Sequence, residues 1–147
     1  MKTLIAVSLA ILTAMPAHAL SCLRPDLREI YHRIDDSPEV YTIVRGKIWV
    51  QGGGDAFAPD HPVTVPATFE GTSLIDNTTR VSAQILVNVT CTGAWCGSVQ
   101  NDRDAIFFLR QVGQAWVLDA QACDSMAHYN PNGAALAIIA DCVAGKC

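Results

Sequence analysis

Six cysteines, all downstream of an N-terminal export signal, constrain this chain more than any other feature. Lys2 supplies a positive n-region, and Leu4 to Met15 is an apolar run too short to span a bilayer. Pro16 breaks the run, and Ala17-His18-Ala19 places small residues at −3 and −1 of a cut after Ala19. A cut after Ser21 would make Cys22 the first residue. Leu20-Ser21-Cys22 also has lipobox character, although Ala19 stands where a leucine is usual, which argues against a lipid anchor at Cys22. The expectation is a signal peptide over 1–19 and one domain over 20–147, exported to the periplasm or secreted. An even cysteine count in an oxidising compartment reads as disulfides. The sequons at Asn77 and Asn88 matter only in a eukaryotic secretory route.

Losing Lys2 takes the formal charge from −4 to −5. An acidic chain lacks the basic footprint expected of a nucleic-acid or anionic-membrane binder. No second apolar run approaches spanning length.

Apolar periodicity divides the chain. Leu27, Ile30, Tyr31 and Ile34 form a helical stripe within Pro25–Ile34. Tyr41–Val50 alternates as a strand, with Thr42, Val44, Gly46, Ile48 and Val50 toward the core. Gln51–His61, rich in glycine, reads as a loop. Val63–Leu74 is a second strand interrupted at Pro66, hence an edge or bulged strand. Arg80–Cys91 alternates most cleanly. Ala105–Arg110 and Gln114–Cys123 form a hairpin about Gly113. Asn130 is placed to cap a helix that begins at Pro131 and ends at Gly145. Five curved strands with a short N-terminal and a C-terminal helix predict a mainly β, disulfide-stabilised barrel of the OB type. A disulfide-tied sandwich is the alternative.

Cys91 and Cys96, and Cys142 and Cys147, are each separated by four residues. Pairing them locally leaves Cys22 for Cys123, one of 15 possible schemes. Neither spacing is the C-x-x-C of zinc or redox sites.

Candidate sites are few. Gly52-Gly53-Gly54 lacks the lysine and helix start of a phosphate cradle. His61 and His128 have no accompanying nucleophile motif, and Asp102 and Asp104 are too few for a calcium loop. No enzyme activity, metal or cofactor is therefore assigned. Arg45, Lys47 and Trp49 share one face of the first strand, where an OB barrel can stack bases, but two cations are a thin basis for that role. Trp95 is expected to pack on the neighbouring disulfide or to cap the barrel mouth, and becomes a partner anchor only if exposed. The reading is a monomeric binding or interaction module for a protein or small ligand, using the loop end that carries Gln51–Pro62 and Thr92–Cys96.

The layout resembles the netrin-like family, which includes the tissue inhibitors of metalloproteinases. The resemblance is carried by Cys22, the short helix, Val40-Tyr41-Thr42-Ile43-Val44-Arg45-Gly46-Lys47, Cys96-Gly97, Cys123-Asp124, and Cys142 in a final helix. It implies the OB barrel and allows a Cys22–Cys96 bond in place of the local scheme. It also implies an alternative function, metalloprotease inhibition, in which the terminal amine and first carbonyl chelate the protease zinc. This chain has one N-terminal cysteine where those inhibitors have Cys-x-Cys. The chelating role also requires the cut after Ser21.

Overall fold

The computed structural model describes residues 25–76, 79–124 and 126–147. The segment expected to be the signal, its expected cleavage site, Cys22 and Asn77 lie outside these residues.

Eight principal elements follow in order: α1 (Leu27–Asp35), β1 (Tyr41–Val50), β2 (Val63–Ser73), β3 (Arg80–Val89), β4 (Ala105–Val112), β5 (Ala115–Ala120), β6 (Ala127–Tyr129) and α2 (Gly133–Val143). The sheet runs β1-β2-β3-β5-β4 and closes through β4 onto β1. Every pairing is antiparallel except β3 with β5, where Ile85 lies beside Trp116 and Val89 beside Ala120. Five strands closed in this order form an OB-type barrel. No helix of the described residues is long and apolar enough to cross a membrane.

The alternation in sequence becomes two cores. Val44, Ile48, Phe69, Ile85, Val87, Phe107 and Leu118 fill the barrel. The opposite faces of β1 and β4 carry Ile43, Ile106 and Phe108. These bury Leu27, Ile30 and Ile34 of α1 and Ala135 and Ile139 of α2. Both helices thus cover one flank, and β1 and β4 are apolar on both sides for that reason. Gly46 stands opposite Gly71, where β1 and β2 approach most closely.

Several boundaries differ from expectation. α1 is capped by Asp26, which accepts the Arg28 N–H at 2.8 Å, and Pro25 precedes the cap. β2 runs unbroken through Pro66. β1 ends at Val50, opposite Ala67, so Pro66 pairs only with Leu86 of β3 and lies on a local edge. The Gln51–His61 loop contains a two-residue ladder, Ala56–Phe57 against Val99–Gln100. The C-terminal helix starts at Gly133. Asn132 caps it by accepting the Ala135 N–H at 2.9 Å. Asn130 turns the chain out of β6 instead, with φ of 51° and its N–H donated to the Asp104 carbonyl.

Cys91–Cys96 and Cys142–Cys147 are disulfide-bonded, as the local scheme requires, which excludes the Cys22–Cys96 alternative. Cys123 is also in a disulfide. Its expected partner, Cys22, lies outside the described residues. These bonds suit an oxidising compartment.

Candidate functional site

The barrel end where β1, β3 and β5 finish carries the densest loop structure. Beyond β3, Thr90 donates its N–H to the Ala120 carbonyl at 3.0 Å. The chain then folds into a tight hairpin in which Cys91 pairs with Cys96 and Thr92 with Trp95. Gly93 takes φ of 62° at the turn, a conformation that glycine adopts without strain. Gly97 donates to the Thr90 carbonyl at 3.0 Å and lies so close to β5 that a Cβ there would overlap the Ala120 carbonyl. The disulfide and the ladder close the hairpin on itself, and the Thr90 and Gly97 contacts with Ala120 hold it against the barrel.

Trp95 is 57 % exposed. This corrects the expectation that it packs on the disulfide or caps the barrel mouth. Neighbouring residues in a strand point to opposite faces, so the face holding the Cys91–Cys96 bond cannot also hold Trp95. The indole is left in water on a rigid backbone.

The adjacent Gln51–Pro62 loop is tied down by Asn101. Its Oδ1 accepts the Val50 N–H at 2.8 Å and its Nδ2 donates to the Gly54 carbonyl at 2.8 Å. The Asn101 N–H reaches the Asp55 carbonyl at 2.9 Å. Between these segments lies an open groove lined by Asp55, Ala56, Ala58, Ser98, Gln100 and Arg103. Asn101 carried no motif in the sequence, since its four bonds reach residues about fifty positions away.

Arg45, Lys47 and Trp49 share the outer face of β1, as alternation predicts. Arg45 holds Asp104 through two nitrogens, the shorter contact being 2.7 Å, and Lys47 holds Asp102 at 2.9 Å. The Asp104 hydrogen bond raises the Arg45 pKa. Both cations are compensated locally, so this face does not present free charge to a phosphate backbone. Trp49 is half-buried, opposite Thr68 of β2.

His61 is exposed in the β1–β2 loop, 2.7 Å from Asp60, and that hydrogen bond holds the Asp60 carboxyl below its usual range. His128 sits on β6 opposite Ile106, so the two histidines belong to different elements. Among the described residues no three His, Cys, Asp or Glu side chains converge to hold a metal.

The chain matches no protein-family model, no curated protein and no solved structure.

Proposed function

We propose that the protein is a disulfide-stabilised interaction module of an oxidising, extracytoplasmic compartment, and that the Cys91–Cys96 hairpin is its contact. The observation that carries this reading is an indole 57 % exposed on a backbone clamped by a disulfide. Tryptophan is among the side chains that most often dominate binding energy. A loop already fixed loses little further entropy when it docks. The tethered Gln51–Pro62 loop extends the same surface.

Photocrosslinking tests the proposal. A photoreactive residue at position 95, in extract from the compartment, should give a discrete adduct. The same residue at Gln84, exposed on β3, should give none. Absence of an adduct at position 95, or equal adducts at both positions, removes the reading.

Metalloprotease inhibition through the Cys22 region is the second reading, and the netrin-like resemblance belongs with it. Its support is that Cys123, three residues past β5, is disulfide-bonded, as the expected partner of Cys22 must be. Sequencing the mature N-terminus decides this version: a chain that begins at Leu20 cannot chelate zinc through Cys22.

A further inference from the structure

The two ends of the barrel are closed to different degrees. At the hairpin end the inward rows finish in Val50, Val89, Val99 and Ala120, each 3 % exposed or less. At the opposite end the β3 row opens. Ile85 is buried, but Ala83 and Val81 are only half-buried. With Ser73, Leu109 and Trp116 they line a cavity of about 230 Å³. Its floor is continuous with the barrel core and includes Phe69.

Ser73 is the one polar side chain among the buried residues described. Its Oγ accepts the Ile75 N–H at 3.2 Å, and the hydroxyl proton remains available to donate. Thr42, Asp76 and Thr79 complete the lining, and the Asp76 carboxylate is already occupied by the Thr79 N–H at 3.2 Å and the Thr79 hydroxyl at 2.8 Å. The cavity is thus a cup with an apolar floor, one accessible aromatic side chain in Trp116, polar residues along its rim and a single buried hydroxyl donor, Ser73. A dry cavity of about 150 Å³ already holds benzene. Trp116 offers a ring for edge or offset contact, which favours an aromatic guest over an aliphatic one.

We propose that this end of the barrel is a binding site for a small phenol-like aromatic, distinct from the Trp95 hairpin. The ring lies among Val81, Ala83, Ile85, Leu109 and Trp116. The hydroxyl oxygen accepts from Ser73, and its own proton faces the water at the mouth.

Titration of the disulfide-bonded protein with p-cresol, and separately with toluene, tests the site by NMR. Saturable shifts are expected in the Val81, Ile85 and Leu109 methyls and the Trp116 indole, but not in Val50 or Val89. Toluene should bind on the order of tenfold more weakly, the equivalent of one hydrogen bond. Ser73→Ala should bring p-cresol down to the toluene level. Ala83→Leu should fill the cup and abolish binding of both; if that variant does not fold, Val81→Phe narrows the same mouth. Three results would each overturn the proposal: no saturable shift, equal binding of the two probes, or binding that survives filling of the cup in a folded variant.

Discussion

Gly46 and Gly71 face one another across β1 and β2, and neither position has room for a side chain. A Cβ on Gly46 would overlap the Glu70 carbonyl, and one on Gly71 would overlap the Arg45 carbonyl. The obstacles are backbone atoms of the neighbouring strand, which cannot swing aside as a side-chain tip could. This close crossing lets β1 coil enough to pair with β2 on one side and β4 on the other, which closes the barrel. Gly46→Ala or Gly71→Ala should therefore cost about 3 kcal/mol, at the upper end of overpacking effects. Urea denaturation measures it. A cost below about 1 kcal/mol would mean that the two strands separate easily and that the crossing does not govern closure.

Removal of the Cys91–Cys96 bond has a separable consequence for stability and for presentation of Trp95. The loop it closes is six residues long, and the chain-entropy account gives roughly 2 kcal/mol for such a loop. The paired Cys91→Ser and Cys96→Ser variant should lose about that much by urea denaturation. Its Trp95 should also become more mobile, read by fluorescence anisotropy with Trp49 and Trp116 replaced by phenylalanine. An indole equally rigid in the open variant would show that the Gly97 contact with Ala120, rather than the disulfide, fixes the hairpin.

The barrel was legible where one face of a strand is buried. Tyr41–Val50 has the bounds its alternation predicts, and Val81 to Val89 face inward as one row. What sequence periodicity missed depends on partners far along the chain. β6 is three residues without a pattern of its own, formed because Ala127–Tyr129 complete the edge of β4. That pairing claims Asn130 for a turn and moves the helix cap to Asn132, a residue of the same chemistry two positions on. The exposure of Trp95 follows from which face of a four-residue ladder the disulfide takes, and composition carries no sign of it. The partners of Arg45 and Lys47 lie 59 and 55 residues away, so the neutralisation of that face emerges only with the register of β1 on β4.

Asp119 joins three strands through polar contacts. It accepts from Arg110 Nε at 2.9 Å across β4 and from Asn88 Nδ2 at 2.8 Å across β3. The carboxylate is 15 % exposed and the guanidinium 21 %, so water screens the pair only in part. Asp119→Ala leaves a largely covered cation with only Glu39, at 3.2 Å, as its other carboxylate partner. A loss of about 2 kcal/mol is expected, below the range for a fully buried pair. The same substitution in an Arg110→Met background should cost clearly less, since no stranded charge remains. Equal costs in the two backgrounds would assign the effect to Asn88 instead.

Tyr129 sets the direction of the alkaline response. Its ring meets Phe107 edge-on at 6.2 Å, and its hydroxyl oxygen accepts the Gln100 N–H at 3.1 Å. Burial raises its pKa, and the Gln100 hydrogen bond offsets this only in part. Tyr41 is raised too, first by burial and then by Glu39. A raised folded pKa means that the unfolded chain ionises first as pH climbs. The contribution of both phenols is therefore whole below about pH 10 and is lost as pH rises through the folded values. Tyr129→Phe should cost about 1 kcal/mol at pH 7, where the Gln100 N–H loses its acceptor. The variant should also lose less stability than the parent between pH 9 and pH 11, two pH values that bracket the ordinary phenol pKa of about 10. Urea midpoints at those pH values decide the matter: an alkaline decline as steep in the variant as in the parent would place the titrating group elsewhere.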